Sequence, residues 1–158
     1  MEYKAPLLAV TDMERSVAFY EEVLGLKVTL DFGANKTLTG GLCLQTLETW
    51  KEFIDGAEVA FGGNDAEIYF EEDDFDAFAE RLRRLEIRCV HPVREHAWGQ
   101  RVVRFYDPDG HIIEVGENMA VTVKRFADSG MTAEQVAKRM DVPVAYVEEC
   151  LASFLEKK

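Results

Sequence analysis

Arg101-Val-Val-Arg-Phe-Tyr-Asp-Pro-Asp-Gly-His-Ile-Ile-Glu-Val-Gly-Glu117 is the stretch whose reading decides the fold. Two apolar, β-prone runs flank Asp107-Pro108-Asp109-Gly110. Proline presets φ for the second turn position and glycine takes the left-handed one, so the segment is predicted to be a tight β-hairpin. With a three-residue loop and a bulge at Gly110, Asp107 pairs with His111, and counting outward sets Arg104 opposite Glu114. Glu114 is a lone carboxylate among Ile112, Ile113 and Val115, and a strand interior seldom keeps a charge without a partner. An Arg104–Glu114 cross-strand pair would satisfy both charges and depress the carboxyl pKa. A slip of one residue would put Arg104 on the opposite face.

Working back to the start, Ala5 to Val10 reads as a buried strand, with Pro6 in its first turn or at an edge. Thr11-Asp-Met-Glu14 has the form of a capping box. Met13, Val17, Tyr20 and Leu24 then recur at helical spacing, and Gly25 ends the helix. Strands are predicted over 26–32, 37–39 and 41–47, with a turn at 33–36. A connector follows over 48–64, holding a short helix near 49–54.

From Ala66 the pattern begins again. A strand over 66–71 leads into cap chemistry at Asp73 and Asp76, and Phe75, Phe78, Ala79, Leu82 and Leu85 form a second helical stripe. A strand over 87–93 and the hairpin complete the unit. Asp12 aligns with Asp74 and Val28 with Val90 at one common offset, and Gly41–Gln45 aligns with Gly110–Glu114. This is an internal β-α-β-β-β repeat. The expected fold is α+β: two such repeats, about 4–47 and 65–117, form a curved mixed sheet around a central cavity within a 1–118 domain. C-terminal helices follow over 119–158.

Asp12-Met-Glu-Arg-Ser-Val-Ala-Phe-Tyr-Glu-Glu-Val-Leu-Gly-Leu26, followed by Phe105-Tyr-Asp-Pro-Asp-Gly-His-Ile-Ile-Glu114, resembles the vicinal oxygen chelate superfamily, which includes glyoxalase I, extradiol dioxygenases and bleomycin-resistance proteins. The resemblance covers about residues 4–117. One scaffold hosts lyases, dioxygenases, epimerases and binding proteins, so it indicates the fold rather than the reaction. It implies metal-ligand positions at Ala5, Gln45, Glu67 and Glu114, where metal-using members usually place histidines at the first and third. Only Glu114 matches. Ala5 has no donor atom, Gln45 offers a neutral carbonyl and Glu67 a carboxylate. Gln45, Glu67 and Glu114 are therefore candidates for a weakly held hard divalent cation and form a poor zinc site.

Strand alternation places Leu7, Ala9, Cys43, Gln45, Glu67, Tyr69, Arg104 and Glu114 on the cavity face. Trp98, on the loop entering the hairpin, either covers the cavity mouth or is an ordinary packed aromatic. The expected ligand pocket is Gln45, Glu67, Tyr69, Trp98, Arg104 and Glu114. Cys43 has no histidine identifiable as its base, so it reads as an inert thiol.

The net charge of −12 argues against nucleic acid and anionic membrane as partners. No apolar run is long enough to span a bilayer. Three cysteines without metal-type spacing fit a reducing, cytoplasmic setting. The acidic cluster from Glu71 to Asp76 lacks calcium-loop spacing.

Beyond Asn118, helices are predicted over 121–129, from the capping box Thr132-Ala-Glu-Gln135, and after Pro143, the last carrying Val144, Val147, Leu151 and Phe154 or Leu155. Residues 130–147 resemble the helix-turn-helix units of small regulators. The recognition helix would offer Val144, Ala145 and Tyr146 followed by Glu148 and Glu149, which suits neither base edges nor phosphates. A helical unit packing on the sheet domain or on a second subunit is expected instead.

The resemblance points to a small organic ligand bound between the repeats, the family together with the apolar tail to a homodimer, and the departures at Ala5, Gln45 and Glu67 to binding without an obligatory metal. The alternatives are a metal-dependent lyase or dioxygenase, and a ligand-sensing regulator whose tail contacts proteins.

Overall fold

The computed structural model describes residues 1–156; residues 157 and 158, the end of the expected 119–158 extension, lie outside the described residues. The first repeat comprises β1 (Leu7–Val10), α1 (Met13–Leu24), β2 (Val28–Asp31), β3 (Asn35–Leu38), β4 (Cys43–Thr46) and a short α2 (Leu47–Phe53). The second comprises β5 (Glu67–Glu72), α3 (Phe75–Arg84), β6 (Cys89–Glu95), β7 (Arg101–Tyr106) and β8 (Ile112–Glu117), followed by α4 (Met119–Asp128), α5 (Ala133–Met140) and α6 (Val144–Glu156). The fold is α+β, as expected, with one four-stranded sheet per repeat. The strand orders β1-β4-β3-β2 and β5-β8-β7-β6 are the same permutation. The chain divides into two compact units: residues 1–66 together with the turn 106–112, and the remainder. Among the described residues no helix is long and apolar enough to cross a membrane.

In the first unit β1 runs parallel to β4, with Ala9 beside Gln45, and β3 lies antiparallel between β4 and β2. The expected turn at 33–36 is shorter than predicted, because Asn35 and Lys36 already pair with Gln45 and Leu44. The cap of α1 is Asp12, which accepts from the Arg15 N–H at 3.0 Å. Thr11 is therefore not the cap; its N–H and hydroxyl instead donate to Asp109. The buried stripe of α1 is Met13, Ser16, Tyr20 and Val23, one position from the predicted Val17 and Leu24. Capping at Asp12 sets the phase of the first turn, and Gly25 closes the helix in the left-handed conformation at φ 69°.

In the second unit the cap of α3 is Asp74, accepting from Ala77 N–H at 3.1 Å, rather than Asp73 or Asp76. The two caps, Asp12 and Asp74, are the very pair that aligned between the repeats. Phe75, Phe78 and Leu82 of the helix and Val103, Phe105, Ile113 and Val115 of the strands are all buried, and the Phe78 ring meets that of Phe105 with centroids 6.1 Å apart. The opposite face of the sheet carries Glu67, Arg104 and Glu114, which meet there as ion pairs. At the edge, β6 pairs antiparallel with β7 through two register shifts that bracket His91 and Pro92, a strand position that tolerates proline.

The tail begins two residues earlier than predicted, with Asn118 capping α4. Thr132 and Gln135 form the expected capping box, and Asp141 ends α5 at φ 57°. The three helices share a core of Val123, Val136, Ala137, Met140, Val147 and Cys150. The stripe of α6 differs from the prediction: Val144 and Leu155 are exposed, while Val147 and Cys150 are buried.

Candidate functional site

The hairpin forms as read. Asp107 N–H donates to His111 O at 3.0 Å and Gly110 N–H to Asp107 O at 3.1 Å, with Gly110 at φ 91°. Arg104 faces Glu114, and the two form an ion pair. Arg104 also reaches β5, where its Nε donates to Glu67 Oε2 at 2.7 Å and its Nη2 to Glu67 Oε1 at 3.4 Å. One guanidinium thus lies against two carboxylates, with His91 Nε2 at 3.4 Å from Nη1.

Glu114 is 5% exposed. Contrary to the expectation of a depressed pKa, its carboxyl is pushed above the usual carboxylate range. Burial is the largest cause. Arg104, His96 and His91 pull the other way, while the neighbouring Glu67 adds to the upward push. Its Oε2, although in ion contact with Arg104, accepts no hydrogen bond of regular geometry.

Further along the same face, Tyr69 follows Glu67 at strand spacing and Gly116 follows Glu114. The Gln100 side chain crosses here: its Nε2 donates to Tyr69 Oη at 2.8 Å and to Glu117 O at 2.9 Å. A Cβ on Gly116 would stand 2.6 Å from Gln100 Nε2 and 3.2 Å from the Tyr69 ring, so this glycine makes the crossing possible. Trp98 donates from Nε1 to Gln100 Oε1 at 3.2 Å and stacks on His96 with ring centroids 4.2 Å apart. Trp98 itself is 39% exposed. Tyr69 donates to Glu71 Oε1 at 3.0 Å, and burial is the main cause that raises its hydroxyl pKa.

Five of the six pocket residues read from the sequence (Glu67, Tyr69, Trp98, Arg104 and Glu114) therefore belong to one unit and one connected polar face. Gln45 belongs to the other unit and is internally engaged: Oε1 accepts from Asn35 Nδ2 at 2.9 Å, and Nε2 donates to Thr49. Cys43 lies beside the Thr37 hydroxyl at 3.5 Å. Gln100, His91 and His96 were missed in the sequence. The spacing of Gln100 before β7 and the glycine at 116 were the available signals, but only the fold brings them together. Among the described residues, no three His, Cys, Asp or Glu side chains gather into a metal-holding group.

The residues at the family's metal positions do not fit a resident metal. Ala5 has no donor, Gln45 is tied to its neighbours, and Glu67 and Glu114 already share the fixed positive charge of Arg104.

Comparison with known proteins gives the same lineage. A crystal structure of a protein of unknown function from Agrobacterium tumefaciens str. C58 is 38% identical, with a TM-score of 0.69, and the match covers 75% of this chain and 95% of that one. The crystal structure of lactoylglutathione lyase from Agrobacterium tumefaciens is 26% identical at a TM-score of 0.59, covering 74% and 93%. The metallothiol transferase FosB of Lysinibacillus sphaericus (strain C3-41) is 28% identical over 109 residues, 68% of this chain and 76% of that protein. Residues 3–120 match the model of the glyoxalase-like domain, and the chain belongs to that family, within the vicinal oxygen chelate superfamily.

Proposed function

We propose that this protein binds a small organic molecule on the polar face of its second sheet and does so without a resident metal. The observation that carries the reading is the Arg104 guanidinium set against both Glu67 and Glu114. A divalent cation held by those carboxylates would face a permanent positive charge within contact distance, an arrangement electrostatics disfavours. Tyr69, Gln100 and Trp98 supply an aromatic and amide rim beside the charged cluster, a combination suited to a small ligand with an apolar body and few polar groups. Three free cysteines support a reducing, cytoplasmic setting. Leu30 and Phe32, both largely exposed, support pairing with a second copy.

The competing reading is a metal-dependent lyase or dioxygenase, favoured by Glu114 at a ligand position and by the activities named for two of the relatives. Calorimetric titration of chelator-stripped protein with nickel, zinc, manganese and magnesium separates the two. The expected outcome is no micromolar binding to the wild-type chain. Micromolar binding that disappears in Glu114→Gln would establish the metal site and overturn the proposal. A thermal-shift screen of small organic compounds then looks for stabilisers whose effect shrinks in Tyr69→Ala and Arg104→Leu.

A further inference from the structure

The tail helices lie outside the 3–120 span of the family match, beginning at its very end. Two of their arginines nevertheless reach one short loop, residues 96–100, which enters β7, as well as the strand ends beside it. Arg139 of α5 donates from Nη2 to Glu95 Oε1 at 2.7 Å and from Nη1 to the Ala97 carbonyl. Arg125 of α4 donates from Nη2 to the Gly99 carbonyl at 2.6 Å, and its guanidinium is anchored on Glu117 at 2.9 Å. Glu117 is fully buried and also takes Arg101 at 2.9 Å. The Phe126 ring has the Arg125 and Arg139 guanidinium carbons at 4.7 Å and 5.3 Å from its centroid. That ring sits so close to Gly99 (φ 92°) that a Cβ there would be 2.4 Å from it.

What the loop carries is the rim of the polar face. His96 contributes to the charge environment of Glu114, Trp98 stacks on His96, and Gln100 reaches Tyr69. Within the loop, His96 N–H donates to Gln100 O at 2.9 Å and Gly99 N–H to His96 O at 2.8 Å. Two backbone hydrogen bonds are little to fix five residues against their conformational entropy. The carbonyls of Ala97 and Gly99 are held instead from the tail, by charge-assisted bonds, which are roughly twice as strong as neutral ones.

We propose that the C-terminal helices are the positioning element of the ligand face, with Arg125 and Arg139 holding the 96–100 loop so that Trp98 and Gln100 stand beside Glu114 and Tyr69. The inference rests on the proposed ligand face for its meaning, and its test needs no ligand. In a Trp50→Phe background Trp98 is the sole tryptophan, so its emission and its quenching by acrylamide report the loop directly. Hydrogen exchange of the 96–100 amides reports the same motion at the backbone.

Arg139→Gln is expected to red-shift Trp98, to raise its quenching, and to speed exchange of the 96–100 amides by about tenfold or more. Exchange in β7, β8 and the α4–α6 core should be unchanged. Arg139→Lys, which keeps the charge and one donor toward Glu95, should recover part of the protection. Unchanged exchange and emission in Arg139→Gln would overturn the inference. So would a rise spread evenly over the second sheet and the tail, which would mark the arginine as a general stabiliser. If the ligand screen fails while the loop responds, the ligand face falls and the positioning role stands.

Discussion

Glu114 and Asp107 are both buried carboxylates of one hairpin, and their surroundings drive ionisation in opposite directions. Around Glu114, burial and Glu67 outweigh Arg104 and the histidines, so the folded chain holds its proton to higher pH than the unfolded chain does. The folded state therefore binds more protons between the ordinary carboxylate value and the raised one, and stability falls as pH rises through that interval. Glu114→Gln removes this penalty while leaving Arg104 paired with Glu67. The variant is expected to melt roughly 2–4 °C above wild type at neutral pH, with the difference disappearing near pH 4, as scanning calorimetry at both values would show. Arg104→Leu has the opposite sign, because it leaves two neighbouring carboxylates without their shared cation; a loss of about 2–4 kcal/mol is expected from urea unfolding at pH 7. The identity of this pair was legible from the hairpin count alone. The direction of the pKa was not, since the count contains neither the burial of Glu114 nor the arrival of Glu67 from β5.

At the level of elements, the hairpin turn joins the first unit by docking on α1. Asp107 accepts from the Tyr20 hydroxyl at 2.9 Å, from the His111 ring at 2.8 Å, and from the His111 and Asp109 N–H groups at 2.8 Å and 3.0 Å. Burial alone would raise its pKa, but the hydrogen bonds and charge of His111, with Tyr20, hold it below the usual range. Its contribution to stability is present above the unfolded carboxylate value and is lost as pH falls through the lowered one. Asp107→Asn, which places an amide where donors converge, should cost about 2–4 kcal/mol at pH 7, and the gap to wild type should narrow as urea unfolding is repeated at strongly acid pH. Helices, strands and the repeat were readable because caps, apolar spacing and turn residues are local signals. Boundaries moved where a side chain found a distant partner. Thr11 fits a capping box by spacing, yet Asp109, far away in sequence, claims its hydroxyl. The roles of Arg125 and Arg139 leave no local signal, since nothing nearby in sequence announces Glu117, Gly99 or Glu95.

For the molecule as a whole, a strongly acidic chain sets four of its arginines against internal carboxylates and carbonyls: Arg104 on the ligand face, Arg101 and Arg125 around Glu117, and Arg139 on the loop. The tail thereby shares its anchoring with the second repeat, while its own helices close over a small apolar core. That core also encloses a thiol. Cys150 is 9% exposed, whereas Cys89 lies open on β6 and Cys43 is half-buried. A disulfide reagent such as 5,5′-dithiobis(2-nitrobenzoate) should modify Cys89 at once and Cys150 only when the helices part, at a rate lower by about a hundredfold or more. Met140→Ala, which opens a cavity beside that thiol at a cost of about 2–5 kcal/mol, should bring the two rates together, whereas Arg139→Gln should leave the Cys150 rate alone. The sulfur thus serves as an internal gauge of how often the helical tail breathes, read chemically in a chain that needs no added label.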